Sequence, residues 1–391
     1  MRVIHIADAF LRISENWIYP QVFGVRGVTP AVLCDILENT AQFPLQNAPV
    51  FFDTPPWRSF LGIPRIANSL AFRAGHPLLS AGIAARRWKP DLLHAHFGTV
   101  GWAMLPLKKR LRVPMITSFY GIDAWAQPQQ STLWRARYRD LFEKGDVFVA
   151  EGPAMGERLK AIGCPSEKIR IVRIGVNADE LCATNRKPAS PPRVLMMARF
   201  TEKKGFADGL RACLEARKLG ADFSVTIVGD AVAGDESGTR IKTELHEIAA
   251  QPELAGRVNF TGFVPVAKSR EILRAHDIYL CPSKHAASGD AEGGSPVALT
   301  EAMALGLLCI GTRHCDIPEV IRHGETGLLA ESGDVDGIAA LLAGAIKNPE
   351  GSRALCQRGR AHVAENFSTA AQVGALEKIY AALAGAPGQK K

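Results

Sequence analysis

Two glutamates stand nine positions apart in the stretch EGGSPVALTEAMALG, Glu292 to Gly306. Gly-Gly-Ser-Pro follows the first, and an apolar run surrounds the second. The pattern predicts a helix with Ser295 as its hydroxyl cap, Pro296 in its first turn and Gly306 as its stop. Val297, Ala298, Leu299, Ala302, Met303, Ala304 and Leu305 leave almost no polar face, so this helix belongs inside the protein. Glu301 within it then needs hydrogen-bonding partners, because a buried carboxylate without them is expensive. A vicinal diol such as a ribose would supply two. The first-turn amides of Val297 and Ala298 suit a phosphate or sugar oxygen, and Gly293 and Gly294 let a ligand come close to the backbone. Glu292, ahead of those glycines, is placed to bind hydroxyls of a transferred sugar. The plainer readings are a helical acid paired with a structural arginine for Glu301 and a solvated loop acid for Glu292.

A second cluster lies in ARFTEKKGF, where Arg199 ends a strand and Lys204 follows five residues later, just before a helix. Two fixed cations there suit a diphosphate, whose charge grows as a bond to it breaks; surface charge on a strand-to-helix loop is the alternative. His94 and His96 alternate on a strand and share a face. A metal site would need a third ligand, and no suitably spaced His or Asp supplies one, so no metal is expected. SFYGID sets Tyr120 and Asp123 at a strand end. Asp123 there could accept a proton or orient a hydroxyl, although a turn also favours Gly-x-Asp. No G-x-S-x-G, Walker A or G-x-G-x-x-G pattern is present, which argues against hydrolase, P-loop and dinucleotide readings.

The elements that carry these residues repeat one theme in both halves. Short apolar strands are expected at 3–7, 29–36, 92–97, 115–120, 147–151 and 169–176, then at 193–200, 223–230, 257–263, 278–283, 307–312 and 326–330, with helix-forming segments between them. That alternation implies parallel sheets covered on both faces. The polar, Pro-rich CATNRKPASPP (182–192) reads as a linker between the halves. In parallel α/β sheets ligands bind beyond the carboxyl ends of the strands, where the residues singled out above fall.

At 391 residues, 47% hydrophobic and 22% charged, the chain suits two soluble globular domains. MRVIHIADAF shows no signal-peptide pattern, and no apolar run approaches the roughly 18 residues of a membrane-spanning helix. The eight cysteines show no C-x-x-C or zinc spacing, which points to free thiols in a reducing compartment. Residues 51–112 hold ten Lys and Arg against two acids, Asp53 and Asp91, and so carry the whole net charge of +8. Interleaved with Trp57, Phe60, Leu78, Leu79 and Trp88, this stretch suits an anionic membrane or a lipid-linked phosphate. A solubilising face is the alternative, and no nucleic-acid motif accompanies it.

Taken together the motifs resemble the retaining glycosyltransferases of family 4. Residues 289–329, with their paired glutamates, resemble that family's donor-site block. VLMMARFTEKKGF matches its Arg/Lys diphosphate clamp at Arg199 and Lys204. HAHFG, TSFYGID and ISENWIYPQ resemble the branch that builds colanic-acid-like exopolysaccharides. The resemblance implies a GT-B fold, two facing Rossmann-like domains with parallel sheets and an interdomain cleft. Residues 1–180 would form the acceptor-binding domain, with the closing helix 369–387 packed back on it, and residues 190–368 the donor-binding domain. It further implies that Glu301 holds the ribose, that Glu292 approaches the sugar, that Ser295, Pro296 and Val297 bind sugar or phosphate, and that Gly262, Phe263 and Val264 meet the base.

The implied reaction is cytoplasmic transfer of a hexose from a UDP- or GDP-sugar to a lipid-linked oligosaccharide. It would proceed with retention and without a metal, with the basic 51–112 region on the anionic inner-membrane surface and no nucleic acid involved. Three departures stand out. Eight residues separate the glutamates where the family has seven. Tyr120 replaces a common histidine, which makes His96 a candidate for the sugar contact. ISEN replaces a Gly-Gly turn, so Ser14 or Glu15 would contact phosphate or acceptor. The alternatives are a nucleotide-sugar epimerase on the same fold, or a non-catalytic basic module for membranes or polyanions. The intact set Arg199, Lys204, Glu292 and Glu301 argues against the latter.

Overall fold

A computed structural model describes residues 1–12, 15, 17–52, 85–177, 180–181 and 188–384. The chain divides into two compact units, Met1–Arg173 with Thr369–Lys391, and Ile174–Ser368. The first unit ends at Arg173 because Val176 and Leu181 already belong to the second unit's core, where the Val176 amide bonds the Phe367 carbonyl at 2.8 Å.

The first unit holds β1 (Arg2–Phe10), β2 (Thr29–Leu37), β3 (Val50–Phe52), β4 (Leu92–His96), β5 (Met115–Ser118), β6 (Val147–Ala150) and β7 (Ile169–Ile171). They form one sheet in the order β3-β2-β1-β4-β5-β6-β7. The second holds β8 (Arg193–Met197), β9 (Ser224–Val228), β10 (Val258–Gly262), β11 (Ile278–Cys281), β12 (Leu308–Thr312) and β13 (Leu328–Ala330), in the order β10-β9-β8-β11-β12-β13. Every neighbouring pair is parallel, so each sheet gathers its carboxyl ends along one edge. Twelve of these strands fall on the segments expected from the sequence. The addition is β3, a three-residue strand paired with Val32–Cys34 and too short to show a period.

Alternation along each buried strand sorts side chains to two cores. In the second unit Val194, Met196, Ile278, Leu280, Leu308 and Ile310 face one layer, while Leu195, Tyr279, Cys281 and Cys309 face the other. In the first, Ile4, Ile6, Leu93, Ala95 and Met115 face one layer. Val3, Leu92 and Ile116 face the other, which is covered by Val373, Leu376 and Tyr380 of the closing helix Thr369–Ala384. The polar side chains on that second face include His5, His94, His96 and Ser118, all essentially inaccessible.

The described cysteines are free thiols, five of them buried; Cys182 lies outside the described residues. Burial pushes the thiols of Cys34, Cys164 and Cys213 up to about 12, which leaves them unreactive. Among the described residues no helix is long and apolar enough to cross a membrane. Most of the basic 51–112 stretch, residues 53–84, lies outside the described residues; at its described end Lys109, Arg110 and Arg112 are exposed.

Candidate functional site

In the second unit, the loop after β8 folds into a 3-10 turn, Glu202–Lys204, closed by Gly205 with φ of +63°. A Cβ on Gly205 would sit 1.8 Å from the Pro282 carbonyl oxygen, so only glycine lets this turn lie against the segment following β11. That approach brings Lys204 to Glu292. The ammonium lies 2.8 Å from each carboxylate oxygen, and the Ser283 hydroxyl donates to Oε1 at 2.8 Å. The Glu292 amide donates to His314 Nε2 at 3.2 Å. Glu292 is buried, not a solvated loop acid. Burial pushes its carboxyl up, but Lys204, then Lys203, and the hydrogen bonds outweigh that and hold it below the usual range. An ammonium has three donors, and two bonds to Glu292 leave one for a ligand. Arg199, exposed just past β8, has no hydrogen-bond or ion-pair partner among the described residues.

The helix around Glu301 runs Val297–Ala304, and Leu299, Thr300, Ala302, Met303 and Ala304 are buried. Ser295 does not cap it. The cap position is Pro296, with ψ of 128° and no side-chain hydrogen bond, because the proline ring sits in extended backbone just outside the helix. The amides of Leu299 and Thr300 turn back to the Pro296 carbonyl, so those of Val297 and Ala298 precede the first helical bond. Gly306, with φ of +79°, follows the last turn as expected.

Glu301 is half-buried, and its side chain is only 15% exposed. Its nearest cation is Arg270 Nε at 3.8 Å, beyond hydrogen-bond length, and no hydrogen bond reaches the carboxylate among the described residues. Burial raises its pKa, opposed by Arg270. The arginine partner foreseen as the plainer reading is therefore present but leaves the carboxylate's acceptor capacity open. At the end of β10, Gly262 takes φ of +69° and its carbonyl accepts the Gly229 amide at 3.0 Å; Phe263 beyond it is 57% exposed and Val264 is half-buried.

In the first unit, neighbouring strands bring His5 beside His94, a pairing that sequence spacing could not reveal. The three imidazoles stack, with centroids 4.5 Å apart for His94–His96 and 5.4 Å for His5–His96. Their nitrogens lie within 4.8 Å of one another, yet they bond to each other and to hydroxyls. His5 Nδ1 meets His96 Nε2 at 3.1 Å, and His96 Nδ1 meets the Tyr120 hydroxyl at 2.7 Å. His94 meets the Tyr380 hydroxyl at 2.7 Å and the Ser118 hydroxyl at 2.8 Å. The stacked His94 and His96 rings, with His5 bonded to His96 and tilted by 38° to His94, form a buried histidine ladder. Burial pushes His94 down to about 3 and His5 and His96 well below their usual value, so all three are neutral.

His96 consequently has no surface with which to touch a sugar, contrary to its expected role as a sugar contact. The Tyr120 hydroxyl is likewise engaged, donating to Gln21 Oε1 at 3.2 Å, while its ring packs on Trp17 with centroids 4.3 Å apart. Asp123 is also buried, and its two oxygens accept the amides of Gly98 at 2.8 Å and Tyr120 at 3.0 Å. Burial pushes its carboxyl up to about 6 against those bonds. It holds the turns after β4 and β5 and is not poised as a base. Glu15 lies 3.7 Å from Arg12, and Ser14 lies outside the described residues.

Residues 26–180 match the Glycosyltransferase Family 4 family and residues 177–362 the family of glycosyl transferases group 1. The amylovoran biosynthesis glycosyltransferase AmsK of Erwinia amylovora is 35% identical over 271 residues, 68% of this chain and 64% of that protein. The putative colanic acid biosynthesis glycosyltransferase WcaL of Salmonella typhimurium is 32% identical over 298 residues, 74% of this chain and 71% of that one. The matches thus span about two thirds of these relatives' length. Among solved structures, Anabaena HepE in complex with UDP superposes with a TM-score of 0.77 over 98% of this chain and 100% of its own, at 16% identity. A sucrose-phosphate synthase from Thermosynechococcus elongatus superposes with 0.73 over 98% and 99%, at 17% identity. At such identity the likeness shows the fold alone, the two-domain α/β GT-B fold.

Proposed function

The chain belongs to glycosyltransferase family 4, and on that premise we propose that it transfers a hexose from a UDP- or GDP-sugar to a lipid-linked oligosaccharide, with retention of configuration, in exopolysaccharide or cell-surface glycan synthesis. The observation that carries this reading is Glu301, a largely buried carboxylate with unfilled acceptor capacity, one and a half turns into a helix whose first amides are open. A ribose diol fills that capacity, and the amides of Val297 and Ala298 take a phosphate or sugar oxygen at the positive end of the helix. Gly293 and Gly294 admit the ligand, Phe263 and its neighbours Gly262 and Val264 border the base, and Glu292 takes sugar hydroxyls while Lys204 and Ser283 keep it charged and fixed.

Arg199 and Lys204 act on the departing diphosphate. Charge grows on it as the sugar–phosphate bond breaks; Lys204, held by Glu292, stabilises that growth in place, and the exposed Arg199 side chain closes on it. No metal is assigned a part, and the leaving phosphate itself helps deprotonate the acceptor on the same face of the sugar. In the first unit, His96 and Asp123 hold Tyr120 in place. The exopolysaccharide assignment is supported by the names of the relatives AmsK and WcaL, and the UDP assignment by the ligand of HepE. Cytoplasmic placement is supported by the free thiols, and a basic surface against anionic lipid by the charge of residues 51–112.

Thermal unfolding with UDP, GDP, ADP and their sugars tests this reading. A ligand at 100 times its Kd adds about 2.7 kcal/mol, a visible shift in Tm. Stabilisation by one base, lost in Glu301→Ala, is expected. No shift with any nucleotide would overturn the donor site and favour the non-catalytic membrane-binding module.

A further inference from the structure

The turn that supplies Lys204 supplies two more grips on the same loop. Glu202 Oε1 accepts the Ala287 amide at 3.0 Å, and the Lys203 carbonyl accepts the Lys284 amide at 2.8 Å. The Lys203 ammonium then spans two consecutive residues, 3.0 Å from Asp290 Oδ2 and 3.0 Å from the Ala291 carbonyl oxygen. Asp290 is folded back into the loop, its carbonyl accepting the Ala286 amide and its Oδ1 the Ala291 amide, each at 2.9 Å. Glu202, Lys203 and Lys204 therefore hold, in order, the middle of the loop, the peptide just before Glu292, and Glu292 itself.

We propose that Lys203 is a positioning residue for Glu292: it fixes the Asp290–Ala291 backbone, so that the Glu292 carboxylate meets Lys204 and the transferred sugar in one geometry. The proposal rests on the donor-site reading above, in which Glu292 faces the sugar. Three features separate Lys203 from an ordinary surface ion pair, which contributes little. Its side chain is only 15% exposed. It binds a backbone carbonyl as well as a carboxylate. Both partners directly precede the residue it serves.

The test uses the full chain and has two arms. Hydrogen exchange over residues 284–296 needs no ligand. Lys203→Met should speed exchange there while leaving β1 and β4 unchanged, and Lys203→Arg should restore most of the protection. Wild-type exchange in Lys203→Met would overturn the proposal. Should that variant fold poorly, Asp290→Asn breaks the same grip from its other end and carries the same expectation.

The second arm compares affinity for UDP with UDP-glucose and for GDP with GDP-mannose. Lys203→Met should keep nucleotide affinity within about twofold and lose about tenfold of the extra affinity given by the sugar. Combined with Glu292→Gln it should add no further loss, because both act on one contact. Equal losses for nucleotide and nucleotide sugar, or additive losses in the double variant, would overturn it. If neither pair binds the wild-type chain, the donor-site reading falls, and the exchange arm alone decides on Lys203.

Discussion

Glu292 and His96 are both buried near the carboxyl end of a parallel strand, yet the first keeps its charge and the second does not. The difference lies in their neighbours. Glu292 has an ammonium 2.8 Å from both its oxygens and a hydroxyl donor beside them, enough to overcome desolvation. His96 has other imidazoles, whose charges would only repel, and a phenol. A buried carboxylate that keeps its charge can accept hydroxyls of a ligand, the role proposed for Glu292. Buried imidazoles that have given up their charge hold neighbours in place. Buried ionisable side chains thus keep their charge in one unit and give it up in the other.

The sharpest way to break this contrast is to remove one residue from each side. Lys204→Ala takes a cation from the leaving group and leaves Glu292 without its ion pair. Turnover, followed as nucleotide release from UDP- and GDP-sugars, should fall by about 10²- to 10³-fold, a magnitude typical of losing one electrostatic donor. A loss below tenfold would show that the clamp is not working on developing charge. His94→Ala should do the reverse. It opens a cavity and strands the hydroxyls of Tyr380 and Ser118, for a stability loss of about 2–4 kcal/mol in denaturant unfolding. Nucleotide affinity should stay within twofold.

Acid adds a sharper version of the second test. A neutral histidine with a folded pKa far below its unfolded value contributes stability that is complete above about 6.5 and is lost as pH falls, because the unfolded chain binds the proton first. For His94, held at about 3, the loss reaches up to about 2 kcal/mol between pH 6.5 and 5. Asp123, raised to about 6, has the opposite slope over that range, because its folded form binds the proton first. The informative quantity is therefore the slope of wild type minus that of His94→Gln, which should be positive with increasing pH. A zero difference would mean that the ladder is not neutral. Smallest of all, Tyr380→Phe removes one hydroxyl from His94 and should lower stability by about 1 kcal/mol, with no effect on nucleotide binding.

Much of this contrast could be read from the residues in order, and the part that could not has a common cause. Strand positions were legible because a buried parallel strand is a short apolar run, whatever it pairs with. Glu301 was legible because an acid in an otherwise apolar helix demands a partner. Spacing does not mark His5 as a third imidazole, because strand order places β1 beside β4 across a long stretch of chain. Asp123 read equally as base or turn residue, and only the two amides on its oxygens separate those roles. Ser295 looked like a cap by type, but the backbone at Pro296 decided where the helix begins. Nothing in the order of residues marks Lys203, because its partners Asp290 and Ala291 lie 87 and 88 positions along the chain.

Calorimetric titration decides whether the open carboxylate of Glu301 marks a nucleotide-sugar site while the histidine ladder is structural. The nucleotide that stabilises the wild-type chain would be titrated into Glu301→Ala and His94→Ala side by side. Kd should weaken at least tenfold in the first, as expected for losing hydrogen bonds to a charged acceptor, and stay unchanged in the second. Unchanged binding in Glu301→Ala, or loss in a folded His94→Ala, would contradict that assignment.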